Sequence, residues 1–331
     1  MPERYFQASR SYLSWGDEGT PYEKAATSNQ IFGITSQDVA FPNPNPHGVL
    51  PTGGHRRGPV VHHALEREYA IPVGYDLLDE NAPLHAALGS LTATARDPDS
   101  TPATGDEYTE YLFEEADKLP TITIEHGQED ADLLEWFVGA KSNLGISIAK
   151  GQPVRVTQDF MAPIAEPYDD TTPTFAALAY DETLQPFKFT DMLPTAVTLA
   201  ADGSPVDTLE TVDGMDLGWD NGLEVQHHGN GRDGYSVTEN VSAAKYDAKL
   251  SLTLKDLTMW KRVRDDGDLV NLETQFVRET GTGGVAIDAF IVRLLDCKVI
   301  DLPMPRPAEG RITGDLVVSP LNTELEIRRP A

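Results

Sequence analysis

Three glycines, Gly229, Gly231 and Gly234, have the spacing of a dinucleotide-binding loop, and Asp247 stands near the distance expected of the ribose-binding carboxylate. That chemistry needs a strand before the glycines and a helix after them, so that the helix N-terminus faces the pyrophosphate. The context is poor: Leu223-Glu224-Val225 is a meagre preceding strand, and Tyr235-Ser236-Val237-Thr238 continues with β-branched residues where the helix should open. A glycine-rich hairpin or loop is the expected structure. Gly281-Thr282-Gly283-Gly284 lacks the Lys-Ser/Thr tail of a phosphate loop and reads as a turn.

Metal chemistry fares no better. His62-His63 and His227-His228 have Glu66 and Glu224 nearby, but adjacent histidines in a strand point to opposite faces and do not converge on zinc. The acidic runs at residues 76–80 and 129–132 miss the spacing of a calcium loop and read as solvated surface. A glycosidase's carboxylate pair is defined by separation in space, which spacing along the chain does not reveal. A halophilic enzyme would need a nucleophile near His85 or His126, and no further spacing signal marks one. The lone Cys297, between Leu294-Leu295 and Val299-Ile300, reads as a buried structural thiol. No catalytic residue, cofactor or metal is expected.

Composition bears on the setting. The chain has 53 Asp plus Glu against 10 lysines and 16 arginines, a formal charge of -27 over 331 residues. At physiological salt the screening length is about 8 Å, and such a surface repels itself; in molar salt the length falls to about 3 Å. A carboxylate-rich, lysine-poor surface therefore suits concentrated salt and resembles the composition of haloarchaeal proteins. The same charge argues against tight nucleic-acid binding, because a negative wall repels the phosphate backbone. No run of about 18 apolar residues and no basic-then-apolar start is seen, so neither membrane insertion nor ordinary secretion is expected.

The elements that would position any site are mostly strands. Residues 16–58 are loop-rich and end in Gly53-Gly54-His55-Arg56-Arg57-Gly58, with a short strand expected around Ile31 and Phe32. Period-two alternation predicts strands over 68–75, 119–125, 143–148, 153–160, 195–199, 209–215, 246–254, 271–277, 286–292, 298–300, 311–318 and 324–327. A short helix is expected over 81–88, stopping at Gly89, and another over 253–263. Residues 93–106 read as a surface loop. The fold class is all-β with one or two short helices.

Two stretches look like copies. Phe137-Val138-Gly139-Ala140-Lys141, followed by Val156-Thr157-Gln158-Asp159-Phe160, matches Leu294-Leu295-Asp296-Cys297-Lys298, followed by Ile312-Thr313-Gly314-Asp315-Leu316, at offsets of 157 and 156. Arg67 to Tyr75 matches Ala244 to Leu252 more loosely, at offset 177. Duplication predicts two similar β-sandwiches: residues 1–165, with an extended N-terminal arm over about 16–58, and residues 186–331, joined by a connector at 166–185.

The order of elements resembles a known family. The opening Trp15-Gly16-Asp17-Glu18-Gly19-Thr20, Phe32-Gly33 with Ser36 beyond it, the Leu88-Gly89 helix end, the strand from Tyr108 to Tyr111, and Gly139-Ala140-Lys141 closing at Asp159-Phe160 resemble the tail tube proteins of long-tailed, siphovirus-like viruses. So do Leu302-Pro303-Met304-Pro305, Gly310 and Leu325-Glu326-Ile327 in the second half. The resemblance implies a β-sandwich in which one sheet joins those of neighbouring subunits into a barrel around a channel, with stacked rings forming the tube for the genome. It implies a structural virion protein of the tail, assembled in the host cytoplasm, here of a haloarchaeal virus. Its partners would be itself, other tail proteins and the tape-measure protein, with viral DNA passing unbound. A chain with two sandwiches would close the ring as a homotrimer of pseudo-sixfold symmetry; with one it would be a homohexamer. The arm residues implied are Ile31, Phe32, Phe41, Arg56 and Arg57, and the barrel strands those holding Tyr69, Ile71, Val73, Val156, Phe160, Leu250, Leu252, Ile312 and Leu316. An acidic channel wall would keep DNA from sticking. The alternative is a β-domain that decorates a virion or binds a receptor without polymerising.

Overall fold

The computed structural model describes residues 11–28, 30–32, 48–49, 61–62, 69–98, 105–128, 133–166, 185–209, 212–228, 235–240, 244–253, 267–301 and 313–331. In chain order the first stretch gives β1 (Ser11–Asp17), β2 (Gln30–Ile31), β3 (Gly48–Val49), β4 (Val61–His62), β5 (Tyr69–Asp76), α1 (His85–Leu88), β6 (Gly89–Arg96), β7 (Tyr108–Glu115), β8 (Ile122–Gln128), β9 (Leu133–Ala149), β10 (Arg155–Ala162) and β11 (Ile164–Glu166). The second gives β12 (Thr195–Leu199), β13 (Pro205–Leu209), β14 (Val212–Asp220), β15 (Leu223–His228), β16 (Tyr235–Asn240), β17 (Lys245–Thr253), β18 (Val270–Thr280), β19 (Ala286–Asp301), β20 (Thr313–Ser319) and β21 (Asn322–Pro330). The chain is nearly all β, as the alternation predicts. The expected first helix shrinks to the single turn α1, because Gly89 at φ 123 ends it and β6 starts there. Part of the loop expected over 93–106 is instead strand, since Ala93 to Arg96 pair with Tyr111 to Tyr108 in the β6–β7 hairpin. The helix expected over 253–263 lies almost wholly outside the described residues.

Apart from the β3–β4 and β15–β16 hairpins, 17 strands form one hydrogen-bonded network. It divides into three antiparallel sheets. The first has seven strands in the order β5-β10-β9-β14-β17-β20-β19. The second runs β2-β1-β8-β9-β11, and the third β6-β7-β21-β19-β18-β12-β13. The two long strands, β9 and β19, each serve two sheets. Strand pairs also cross between the two expected halves, β14 lying on β9 and β21 on β7, so the stretches share sheets rather than standing apart.

One local device lets a strand change sheets. In β9, Ala140 faces Ile122 and Phe137 faces Ile124, so Val138 and Gly139 together oppose Thr123. In β19, Cys297 faces Val270 and Leu294 faces Leu272, so Leu295 and Asp296 oppose Asn271. Each is a β-bulge, which bends the strand and turns its later residues toward a new partner. Gly139 has φ 77 and Asp296 has φ 51, both left-handed. Asp296 holds that conformation while its N–H donates to Asn271 Oδ1 at 2.9 Å. The bulges stand 157 positions apart, the offset at which the sequence halves align. Strand partners extend the match: Phe160 faces Ile71 and Leu316 faces Leu250, which relates β5 to β17 at offset 179, two residues from the offset of 177 read in the sequence.

A contiguous core fills the space between the seven-stranded sheet and the other two. Its aromatic rings include Phe32, 5.8 Å from Tyr75 and 5.7 Å from Phe160, and Phe290, 5.9 Å from Phe187 and 5.8 Å from Phe276. A polar network crosses it. Tyr75 donates to Gln158 Oε1 at 2.6 Å, and Gln158 Nε2 donates to Pro83 O and Ser142 Oγ, each at 3.0 Å. Asn221 Nδ2 donates to Ala87 O and Ser142 O. These bonds satisfy buried groups that would otherwise cost about 1–3 kcal/mol apiece, and they tie the α1 segment to strands of both halves.

Candidate assembly interface

The seven-stranded sheet is the element that can extend from one subunit into another, because among the described residues no strand lies beyond β5 at one end or beyond residues 298–301 of β19 at the other. Its inner face is apolar: Ile71, Val73, Val156, Phe160, Leu144, Ile146, Leu217, Leu250 and Leu316 are all buried. Its other face is built from short or hydrophilic side chains, and register fixes how they line up. One row runs Gly74, Thr157, Gly145, Gly218, Asp247 and the next runs Asp76, Arg155, Ser147, Asp216, Lys249. Lys249 Nζ lies 2.8 Å from Asp315 Oδ2, and Ser251 donates to Asp315 Oδ1 at 2.8 Å. These two bonds hold the Asp315 carboxyl below the ordinary aspartate range. Seven aspartates on this face (76, 159, 216, 220, 247, 301, 315) stand against Lys141, Arg155, Lys245, Lys249 and Lys298, so most of the charge of -27 lies elsewhere on the molecule.

The barrel-strand residues expected from the sequence fall on this sheet. Tyr69, Ile71 and Val73 are in β5, Val156 and Phe160 in β10, Leu250 in β17 and Leu316 in β20, all with buried side chains. Leu252 lies in β17, opposite Val212 on one side and Gly314 on the other. Since these side chains fill the core, what such strands offer a neighbour is backbone. Of the arm residues, Ile31 pairs with Ser14 and Phe32 is buried within this chain. Phe41, Arg56, Arg57 and Ile312 lie outside the described residues.

Other groups singled out by type have structural surroundings. β15 and β16 pair antiparallel, with His228 opposite Tyr235, so residues 229–234 join two hairpin strands rather than a strand and a helix. Asp247 sits on a different strand, opposite Gly218. Cys297 is fully buried, and burial pushes its thiol up to about 12, which removes any nucleophilic thiolate at neutral pH. His85 is buried, with Nε2 2.7 Å from Asp17 Oδ1 and its ring tilted against Trp15. Glu80, part of an acidic run read as solvated, instead lies 3.2 Å from Arg329. Glu18 was not foreseen: its carboxylate accepts from the N–H groups of Gly139 and Tyr22, each at 2.7 Å, and clamps the N-terminal segment onto the β9 bulge. No local spacing announces a contact over such a separation.

His126 provides a pH test. Burial lowers its pKa below the ordinary histidine value, against the opposing pull of Glu135, whose Oε2 lies 3.8 Å from Nδ1. The unfolded chain therefore takes up a proton first as pH falls. The stabilisation is complete above about 6.5 and is lost as pH drops below it, through the folded-state value. The melting temperature of the wild type is expected to fall from pH 7.5 to 5.5, a range in which most carboxylates stay ionised. His126→Gln should flatten that slope; an unchanged slope would show that other groups carry it.

The sequence signature of the phage tail tube protein family matches residues 56–320. The chain belongs to that family. The match spans β4 to β20, and therefore the whole seven-stranded sheet. As a phage tail tube protein the chain is a structural component of the virion tail, not an enzyme, and it assembles with itself and with other tail proteins. Among solved structures, a chain of the anti-feeding prophage (AFP) baseplate, determined by cryo-EM with 6-fold symmetrisation, is similar at 13% identity. That likeness covers 39% of this chain and 89% of the other, with a TM-score of 0.28. Comparison with curated protein sequences gives no match.

Proposed function

We propose that this tail tube protein polymerises into stacked rings that form the hollow tail tube of a siphovirus-like particle, through which the genome passes. The observation that carries the reading is the seven-stranded sheet. It has a hydrophilic face free of aromatic side chains and a sealed apolar face, which suits a channel wall that a polyanion must cross without sticking. The modest aspartate excess on that face repels phosphates, and at 1 M salt the field reaches only about 3 Å. The twin bulges at Gly139 and Asp296 and the repeated strand partners support a duplicated unit, residues 1–165 and 186–331, each supplying half of the sheet. Three such chains then make a ring of pseudo-sixfold symmetry; six chains is the alternative count. The charge of -27 supports a haloarchaeal host whose cytoplasm, where the tail is assembled, is itself rich in salt. The tape-measure protein is the partner expected inside the tube, and, since residues as far as Phe32 pack within this chain, the part of the arm beyond it is the segment expected to reach a neighbouring ring.

Negative-stain imaging of the purified protein in about 3 M salt tests this. Rings or hollow rods are expected, and light scattering of the smallest ring should give three chain masses. Dispersed monomers at every salt concentration would end the proposal.

A further inference from the structure

We infer that the β3–β4 hairpin of one copy lies across the β19 bulge of its neighbour in the same ring, as β15–β16 lies across the β9 bulge within the chain. This rests on the tube reading and assigns these two strands to a contact inside the ring.

Within one chain the second half already clasps the first. β15 and β16 pack against β9 and β10. Thr238 of β16 shares its hydroxyl proton between Gly139 O and Met161 O, each at 3.3 Å, and its own carbonyl accepts from Lys141 Nζ at 2.7 Å and from the Tyr22 hydroxyl at 3.1 Å. The turn before β15 adds a bond from the Asn221 N–H to Asn143 Oδ1 at 2.8 Å. At this bulge Lys141 and Asn143 are half-buried and Pro163 is buried.

β3–β4 is the first half's copy of that hairpin. It precedes β5 as β15–β16 precedes β17, and its register is the same: Val49 faces Val61 as Val225 faces Thr238, and Gly48 faces His62 as Glu224 faces Glu239. The offsets are 176 on the first strand and 177 on the second, matching the 177 at which the sequences that follow align. Val49 and Val60 stand where Val225 and Val237 do. Among the described residues, β3 and β4 pair only with each other. The β9 bulge of their own chain is taken by β15–β16, and the β19 bulge belongs to the opposite end strand of the seven-stranded sheet. That end is six strand spacings from β5, roughly 29 Å along the sheet, whereas the chain from His62 to Tyr69 spans at most about 24 Å. The bulge within reach is a neighbour's.

The second bulge is bare where the first is covered. Lys298, the counterpart of Lys141, is exposed; Ile300, in the place of Asn143, is 62% exposed; and Leu321, in the place of Pro163, is 69% exposed. The last match follows from register, since Ile164 faces Val138 and Asn322 faces Leu295, 157 positions further on. Ile300 and Leu321 are the two most exposed large apolar side chains described, and Leu321 sits at the bulge itself, its N–H bonded to Leu295 O at 3.1 Å. Gly48, Val49, Val61 and His62 bring valines and no carboxylate to that surface. The backbone carbonyl at position 61 gives Lys298 the acceptor that Lys141 finds at 238; Val61 has no hydroxyl, so the two bonds made by the Thr238 side chain have no counterpart. The first half of one copy thereby holds the second half of the next, a head-to-tail contact of the kind that closes rings.

Oxidative cross-linking of assembled Val61→Cys with Lys298→Cys tests the inference. Denaturing gels should show a ladder of covalent oligomers that stops at the chain count light scattering gives for the ring, and each single-cysteine variant should stay monomeric. Thr238→Cys with Lys141→Cys, the counterpart pair, should cross-link within the chain and give no ladder. Rings in which the 61–298 pair gives no ladder would overturn the inference and leave the tube reading standing. So would a ladder running past the ring count, which would place the hairpin on the next ring, or a cross-linked monomer, which would place it on its own chain. Where the cysteine pair blocks assembly, the wild-type protein decides by amine acylation. Lys298 should react at least tenfold more slowly in rings than in dispersed protein, while Lys141, bonded to Thr238 O, reacts slowly in both and calibrates the scale. Equal Lys298 rates in the two states would overturn the inference. No assembly in any salt ends both readings.

Discussion

Gly139→Val is expected to cost the protein roughly 3–5 kcal/mol of stability, among the largest effects a single substitution has. Three penalties meet at the β9 bulge. Gly139 sits at φ 77, where a β-branched residue pays about 1–2 kcal/mol of backbone strain. A Cβ there would lie 2.4 Å from Tyr22 Cδ1 and 3.2 Å from Pro163 Cγ, and overpacking of this kind costs about 1–3 kcal/mol. Tyr22 is itself left-handed, at φ 65, and its hydroxyl is bonded to Thr238 O, so it has little room to yield. Any shift of the bulge also strains the bond from the Gly139 N–H to Glu18. The matching position gives the control. Asp296→Gly relieves about 1 kcal/mol of left-handed strain and adds a comparable entropy to the unfolded chain, so it should change stability by less than about 1 kcal/mol. Denaturant unfolding of both variants decides the matter. Equal effects would mean that the two bulges are not under the constraints described.

Arg293→Met should destabilise the protein by about 3–5 kcal/mol and stay costly in molar salt. Glu326 is only 2% exposed, and Arg293 Nη2 lies 2.6 Å from its Oε2. The same guanidinium reaches Glu273 at 2.9 Å and Glu324 at 3.7 Å. Its removal leaves three carboxylates, one of them buried, with Arg328 as the cation still bonded to Glu326. Burial already raises the Glu324 pKa, so the cluster does not hold unpaired negative charge easily. Arg293→Met with Glu326→Met should recover at least half of the loss, because the second change removes the buried charge. Lys249→Met is the contrast. Its pair with Asp315 is nearly half exposed and screened by solvent, so its loss should leave stability close to that of the wild type. Unfolding should be followed at 0.5 and 3 M salt. Recovery of Arg293→Met stability in 3 M salt would show that solvent ions reach the cluster and would refute the buried account.

Much of the fold was legible because its signals are local. Alternation marked β5, β10, β12, β17, β18 and β21 within a few residues, since a strand with one buried face must alternate. It did not mark β1, where Ser14 is as fully buried as its apolar neighbours, or β6, whose side chains are mostly half-exposed or exposed. β9 and β19 were seen only in pieces, because a bulge breaks the period without ending the strand. At the offset of 157 read in the sequence, Gly139 and Asp296 share a left-handed backbone, and Ala140 and Cys297 after them are both fully buried.

Composition and alternation by themselves determined an acidic, all-β chain, because charge balance and side-chain period are properties of residues and near neighbours. Only the tertiary structure decided that strands of the two halves share sheets, that Glu18 clamps the β9 bulge and that Arg293 gathers three carboxylates. Those facts depend on hydrogen-bond partners far apart in the chain, 216 residues in the case of Tyr22 and Thr238, and no local pattern encodes such a choice. It is settled by which pairing buries both apolar faces at once.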